Sequence, residues 1–287
     1  MNTKSVGSKT IAVILAGGSG SRMGGPVKKQ FMELAGKPLL AHTLEAFESY
    51  EAVDEIVLVT SSTGSCEKDQ AEIEYVKREI VEAYGFTKVS AIVPGGAERY
   101  HSVYAGLKAC QSDANQNGLS SNKAVADGIG GRIENETTGA VPCYVLIHDG
   151  ARAFVTKEVL DNVMQGLTKS DACVAAVPVK DTIKKADADG FVTQTLERKE
   201  LYAMQTPQAF NYALVMSAYE ELIENELSGG EEKRCFNQAH VTDDAMVVER
   251  YHPEQQILLV GGAYDNIKVT TPDDVTYGEF LINAKER

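Results

Sequence analysis

Ile11-Ala-Val-Ile-Leu15, running without a break into Ala16-Gly-Gly-Ser-Gly-Ser-Arg-Met23 and then Lys28-Lys-Gln30, decides how this 287-residue chain reads. Five consecutive apolar residues, three of them β-branched, are of strand length. Their continuity, rather than alternation, predicts a strand covered on both faces. A strand that opens into a glycine-rich turn exposes backbone N–H groups able to cradle phosphate. A dinucleotide fingerprint is excluded because, counting from Gly18, the sixth position is Met23. A Walker loop is excluded because Gly36-Lys37 is followed by Pro38. A glycine loop by itself also suits a plain turn. What favours phosphate is the pair of cations, Arg22 and Lys29, placed to bracket a triphosphate.

Outward from this stretch, similar runs recur at Glu55–Thr60, Val89–Pro94, Tyr144–His148 and Ala172–Pro178. Amphipathic segments lie between them, at Pro38–Glu48, Glu67–Tyr84, Glu98–Cys110 and Thr156–Leu167. Strand and helix in alternation predict an α/β fold with a mostly parallel sheet and helices on both sides. Ligands of such sheets bind beyond the carboxyl ends of the strands, so the loops there carry function. Two segments depart from the alternation. Residues 111–141 are polar, rich in Gly, Asn and Ser, and read as a surface loop insertion within a single 1–287 domain. From Lys180 onward, Asp187-Ala-Asp-Gly190 is a turn between Thr182–Lys185 and Phe191–Leu196, which predicts a hairpin arm over 180–208.

The bulk numbers narrow the function. A formal net charge of −13 argues against a nucleic-acid partner, while leaving room for a small anionic substrate at a local cluster of cations. The five cysteines, Cys66, Cys110, Cys143, Cys173 and Cys235, form no CxxC pair, and an odd count suits no closed disulfide framework. They are expected to be reduced and buried in a cytoplasmic protein. The first ten residues lack the apolar stretch of a secretory signal. No run reaches the ~20 apolar residues that span a bilayer, so no membrane partner is expected.

Several further blocks follow in order: Pro94-Gly-Gly-Ala-Glu-Arg-Tyr-His-Ser102, Ile147-His-Asp-Gly-Ala-Arg152, Pro178-Val-Lys-Asp-Thr182, Glu197-Arg198, Gln205-Thr-Pro-Gln208, Thr242-Asp-Asp-Ala245 and Asp265-Asn-Ile-Lys-Val-Thr270. The opening stretch resembles the signature of sugar-phosphate nucleotidyltransferases. The whole set, from Ile11 to about Ile282 and excepting 111–141, resembles the cytidylyltransferases of the non-mevalonate isoprenoid pathway, which act on 2-C-methyl-D-erythritol 4-phosphate. The resemblance implies a three-layer, Rossmann-like nucleotidyltransferase sheet with a projecting β-hairpin arm. It also implies that CMP passes from CTP to a polyol phosphate with release of pyrophosphate, in the presence of Mg²⁺.

The same resemblance implies the roles of individual residues. Arg22 and Lys29 stabilise the pentacoordinate α-phosphorus, while Lys268 and Arg198 hold the incoming phosphate. Arg152, Thr182 and Thr242 contact the polyol phosphate. Ala16, Gly17, Gly18 and Gly20 line the phosphates, and Gly95, Gly96 and Ser102 form the wall that reads cytosine. Asp149 and Asp265 are the expected metal partners, with a helix N-cap or an Arg152 partner as the other reading of Asp149 and a turn residue as that of Asp265. For the arm, the resemblance implies a two-fold homodimer in which each Arg198 and Thr182 serves the other subunit's site. The nucleophile, a phosphate, is already ionised, so the chemistry rests on positioning and charge neutralisation rather than on a general base. His148 beside Asp149 lacks the spacing of a metal hydrolase.

Three positions depart from the family pattern: Lys28 stands where it usually has Pro, Ala97 where it often has an acid, and Ala153 where it usually has Pro. The sibling family that acts on ribitol 5-phosphate shares the chemistry. Gly150, Glu197-Arg198 and Thr242-Asp-Asp-Ala245 look more like the methylerythritol enzymes. A nucleotide-binding regulator without turnover is the reading from a different class. It has no need of Arg22, Lys29, Asp149, Arg198 and Lys268 together.

Overall fold

Alternate residues of the first strand are covered from opposite sides, and this builds the layers of the fold. In β1 (Lys9–Leu15), Ala12 and Ile14 pack with Leu40, Leu44 and Phe47 of α1 (Leu39–Glu48), Val76 of α2 (Cys66–Val76) and Val159, Leu160 and Val163 of α4 (Lys157–Leu167). Ile11, Val13 and Leu15 pack on the other face. Their partners are Val103 and Leu107 of α3 (Arg99–Gln116), Val215 and Tyr219 of α5 (Tyr212–Ser228) and Val247 of α6 (Asp244–Tyr251). A strand buried on both faces must be apolar along its doubly covered length, as Ile11–Leu15 are. The computed structural model describes residues 9–18, 28–116, 143–228 and 241–285.

The seven-stranded sheet has the order β11-β7-β10-β6-β1-β4-β5. Its strands are β1, β4 (Glu55–Thr60), β5 (Val89–Pro94), β6 (Cys143–Asp149), β7 (Ala172–Pro178), β10 (Tyr202–Asn211) and β11 (Leu258–Gly261). β1 pairs in parallel with both β4 and β6, β4 with β5, and β7 with β11. β10 alone runs antiparallel, to β6 and to β7. The chain leaves β1 in one direction for β4 and β5, with α1 and α2 on one face. It then returns along α3, on the opposite face, to β6 on the far side of β1. That reversal opens a crevice at the carboxyl ends of β1, β4 and β6, where parallel sheets bind ligands. A last helix, α7 (Pro272–Lys285), places Leu281 in a smaller cluster with Leu34 of β2 (Glu33–Leu34), Leu39, Phe154 and Val269. β2 pairs with β3 (Lys37–Pro38).

The expected strands all form, and within the seven-stranded sheet the parallel expectation holds for every pair except those of β10. Three expectations need correction. The helix expected to end at Cys110 continues to Gln116, so 111–116 belong to α3; residues 117–142 lie outside the described residues. The arm expected over 180–208 divides. Lys184–Ala186 (β8) and Val192–Thr195 (β9) form an exposed antiparallel pair, but Tyr202–Asn211 is a strand of the main sheet, because Gln205–Phe210 are apolar or hydrogen-bonded enough to be buried there. Cys110 and Cys173 are buried free thiols as expected, whereas Cys66 is exposed, since it opens α2 in a polar stretch. Burial pushes the Cys173 thiol up to about 12, which keeps it protonated and inert. Among the described residues no helix is long and apolar enough to cross a membrane.

Close approach of α3 to the sheet depends on Gly106. A Cβ there would stand 2.5 Å from Cγ1 of Val13 and 2.9 Å from Cγ2 of Val59, and both valines are wholly buried. Gly106→Val is therefore expected to lower the urea unfolding midpoint by the equivalent of about 1–3 kcal/mol. The overpacking outweighs a helix-propensity gain of less than ~1 kcal/mol. An unchanged or raised midpoint would contradict this packing.

Candidate active site

Asp149 ends β6 inside the crevice, and its carboxylate is almost wholly buried. Burying a charge is costly unless cations answer it. Here three do so, from three different loops. Lys268 Nζ lies 2.8 Å from Asp149 Oδ2, Arg99 Nε 3.7 Å from Oδ1 and Arg152 Nε 3.8 Å from Oδ2. Burial pushes the Asp149 carboxyl up, but Arg99, Lys268 and Arg152 together outweigh it and hold the group well below the ordinary carboxylate range. Asp149 is therefore an anion at any physiological pH.

The strand end is held by a chain of hydrogen bonds. The Asp149 N–H donates to Thr206 Oγ1 at 3.1 Å, and that hydroxyl lies 3.1 Å from Nδ1 of His148. Nε2 of His148 lies 3.1 Å from the Arg152 carbonyl. Burial lowers the His148 pKa to about 4, so the ring is neutral. The tautomer that fits has Nε2–H donating to Arg152 and Nδ1 accepting from Thr206. His148 is thus a structural strut.

The loop that carries Lys268 is fixed from β10. Gln205 Nε2 donates to the Ala263 carbonyl at 2.7 Å, and the Ala263 N–H returns to Gln205 Oε1 at 3.2 Å. Asn266, fully buried, donates to the Thr206 carbonyl at 2.9 Å. Arg152 in turn donates from Nη1 to the Asn266 carbonyl at 2.8 Å. Lys268 and Arg152 are thereby set on one side of Asp149.

Arg99 opens α3 on the other side. Its Nη1 and Nη2 grip the two oxygens of Asp244 at 2.7 and 2.8 Å, and Asp244 is wholly buried at the start of α6. Burial works against the Arg99 charge, yet Asp244 and Asp149 raise its pKa well above the ordinary value. Just before Arg99 lies a backbone wall. Gly95 N–H donates to the Thr60 carbonyl at 3.0 Å and Gly96 N–H to Ser102 Oγ at 3.1 Å. A Cβ on Gly95 would lie 2.5 Å from Ser102 Oγ and 2.8 Å from the Thr60 carbonyl oxygen, so only glycine fits. Across the crevice Ala16 N–H donates to the Val59 carbonyl at 2.7 Å, and Gly18 takes φ +124°, open to glycine at no steric cost.

The sequence-predicted residues therefore divide into groups. Asp149, Arg152 and Lys268 meet directly, and Ala16, Gly17, Gly18, Gly95, Gly96 and Ser102 follow the ends of β1 and β5 at the same end of the sheet. Lys29 lies in the short 3-10 turn Lys29–Phe31. Its neighbour Lys28 is bound to Ser61 and to buried Glu72, so the cation in place of the usual Pro is a fastening between the loops after β1 and β4. Thr242 precedes α6, with its hydroxyl toward Met246 Sδ at 3.7 Å. Asp265 is exposed, and its carboxylate accepts from the Tyr277 hydroxyl at 2.9 Å. Thr182 and Arg198 lie on the exposed arm, where Arg198 Nη1 donates to the Lys180 carbonyl at 3.0 Å. Arg22 and Gly20 lie outside the described residues. Arg99, Asp244, Gln205, Thr206, Gln208 and Asn266 were given no role from sequence. They all fall inside the quoted blocks, but their partners are distant in the chain.

The chain matches the model of the family described as "IspD: 2-C-methyl-D-erythritol 4-phosphate cytidylyltransferase" over residues 10–124 and 132–284. It is 36% identical over 278 residues to a protein of Alkaliphilus oremlandii named 2-C-methyl-D-erythritol 4-phosphate cytidylyltransferase, covering 97% of each chain. It is 41% identical over 264 residues to a protein of the same name from Lachnospira eligens, covering 92% of this chain and 95% of that one. Among solved structures it is similar to the 4-diphosphocytidyl-2C-methyl-D-erythritol synthase of Anaerococcus prevotii. That likeness has a TM-score of 0.69 and 27% identity, over 96% of this chain and 97% of the other.

Thr206 offers a direct check on the strut. Thr206→Val keeps the shape but removes the partner of the Asp149 N–H and of His148 Nδ1, both buried. The substitution is expected to cost about 1–3 kcal/mol in urea unfolding, and Thr206→Ser to cost much less. Equal effects of the two would mean that the hydroxyl contributes nothing.

Proposed function

The chain belongs to the family of 2-C-methyl-D-erythritol 4-phosphate cytidylyltransferases, and from that premise we propose how its residues transfer CMP from CTP to 2-C-methyl-D-erythritol 4-phosphate. The observation that carries the proposal is the ionised Asp149 with Arg99, Arg152 and Lys268 around it, at the carboxyl end of the sheet. An oxygen of the polyol phosphate attacks the α-phosphorus of CTP. A new P–O bond forms, the bond to the β-phosphate bridging oxygen breaks, and its electron pair leaves with pyrophosphate. Two anions must be brought together, so cations and orientation do the work, and no proton has to be removed.

Lys29 and Arg22 are assigned to the charge that develops at the α-phosphorus. Lys268 and Arg198 hold the attacking phosphate, with Arg152, Thr182 and Thr242 around the polyol phosphate. The backbone of Ala16, Gly17, Gly18 and Gly20 faces the triphosphate, and Gly95, Gly96 and Ser102 face the base. With Ala97 in place of an acid, that wall reads cytosine through backbone groups.

A divalent cation fits one feature of the site. Asp149 is an ionised, hard oxygen donor next to where the phosphates would lie, and Mg²⁺ takes one or two carboxylates with the rest from phosphate and water. Among the described residues no three His, Cys, Asp or Glu side chains converge, which matches that division of ligands. When bound, Mg²⁺ supplies positive charge to the triphosphate. Asp149 would hold it, and Asp265 is the second carboxylate proposed. A cytoplasmic location belongs to the same reading and is supported by the free thiols Cys66, Cys110 and Cys173.

The arm is proposed to join two chains. Its pair of short strands is too small to be stable alone, and Phe191 is 72% and Val192 62% exposed. In a two-fold dimer each arm would bring Arg198 and Thr182 to the other chain's Lys268.

Two measurements test this reading. Pyrophosphate release from CTP is expected to require Mg²⁺ and to run at least tenfold faster with 2-C-methyl-D-erythritol 4-phosphate than with ribitol 5-phosphate. Faster release with ribitol 5-phosphate would reassign the substrate. For the arm, inactive Lys29→Ala and Arg198→Ala chains are mixed and allowed to exchange. About a quarter of the sites should recover, one in each mixed dimer with half the dimers mixed. No recovery despite proven exchange would mean that Arg198 serves its own chain.

A further inference from the structure

Arg99 touches more of the crevice than its place in the sequence suggests. Its side chain joins three elements that no backbone pairing connects: the start of α3, the end of β6 and the start of α6. Both Nη atoms are committed to Asp244, which leaves Nε facing Asp149 at 3.7 Å. Asp244 cannot yield, because it is wholly buried and also accepts from the Tyr219 hydroxyl at 2.6 Å. The backbone there is fastened as well. Gln208 Oε1 accepts from the N–H groups of Asp244 and Ala245 at 3.0 and 2.8 Å, while its Nε2 donates to Asp243 Oδ2 at 3.0 Å. Thr242 is the residue that enters this fastened turn.

We infer that Arg99 is a positioning residue for the second substrate: it sets the spacing between the Gly95–Ser102 wall, Asp149 and Thr242. The inference rests on the roles proposed above for those groups. Its chemical basis is the shape of guanidinium. A planar fork holds both oxygens of one carboxylate and still presents Nε to another, whereas an ammonium is a single point charge. A residue that only balanced charge at Asp149 would be replaceable by lysine. One that sets a distance would not. The predicted error falls on the polyol-phosphate side, because Gly95 and Gly96 are independently tied to Thr60 and Ser102.

The test compares Arg99→Lys and Asp244→Asn with the wild-type enzyme and reads the ratio of two KM values, polyol phosphate over CTP. Each variant is expected to raise that ratio at least tenfold, with the KM for CTP changed less than threefold. An unchanged ratio overturns the inference, even if kcat or thermal stability falls, since a purely structural loss lowers the number of working sites and leaves both KM values alone. A ratio that falls because CTP binding alone weakens also overturns it. If Arg99→Lys does not fold, the isosteric Asp244→Asn decides. The ratio is read with whichever polyol phosphate the wild type turns over, so a wrong substrate assignment does not imitate a failure here. Should the wild type turn over none, the same ratio is taken from calorimetric dissociation constants for CTP and 2-C-methyl-D-erythritol 4-phosphate.

Discussion

A carboxylate buried at the end of a strand is the constraint around which the rest of this crevice is arranged. Asp149 would cost several kcal/mol to desolvate alone. It is tolerated because Arg99, Arg152 and Lys268 arrive from the β5–α3 connection, the β6–α4 connection and the loop before α7. Two of the cations are held by a second partner as well: Asp244 for Arg99 and the Asn266 carbonyl for Arg152. The requirement for charge balance at one atom pair thus spreads outward and fixes three loops that the sheet alone leaves unconnected.

The antiparallel strand β10 supplies the fixings. Gln205, Thr206 and Gln208 are all buried, and each serves a different loop. Gln205 clasps Ala263, Thr206 receives the Asp149 N–H, and Gln208 holds the turn into α6. A run of parallel strands spends its interior on apolar contacts, as β1 and β4 do here. Inserting one strand of opposite direction beside β6 places polar side chains at the level of the site without breaking the sheet. The buried amides are tolerable because their oxygens and nitrogens find partners.

This explains what was and was not legible in the sequence. The strands β1, β4, β6 and β7 were readable because a doubly covered strand leaves an apolar run, and the half-buried edge strand β5 because its run is short and rich in valine and isoleucine. Asp149 was readable as a carboxylate at the carboxyl end of a strand, whereas Arg152 and Lys268 were readable through the resemblance of their blocks to the family. β10 was misread as the end of the arm, since Gln205-Thr-Pro-Gln208 has neither alternation nor an apolar run, and its polar side chains are buried only because loops from elsewhere meet them. Arg99 and Asp244 stand 145 positions apart, a separation at which no local period reports a contact. α3 was cut short because the polar residues 111–116 suit a loop by composition and a helix by position.

The arm and the crevice also share a mechanical connection. The hydroxyl of Tyr264 donates to the Pro178 carbonyl at 2.9 Å, and Lys180 Nζ sits 3.7 Å above the Tyr264 ring, at the base from which the arm departs. Tyr264 adjoins Ala263, which Gln205 clasps, and belongs to the loop that continues to Lys268. Close cation–π contacts of this kind contribute on the order of 1 kcal/mol at exposed sites, comparable to a single hydrogen bond. The two contacts are therefore too weak to hold the exposed hairpin by themselves. Tyr264 nonetheless ties Pro178 and Lys180, at the base of the arm, to the loop that carries Lys268. The base of the arm and the buried carboxylate are, on this geometry, joined by one loop, through Tyr264 at Pro178 and Lys268 at Asp149.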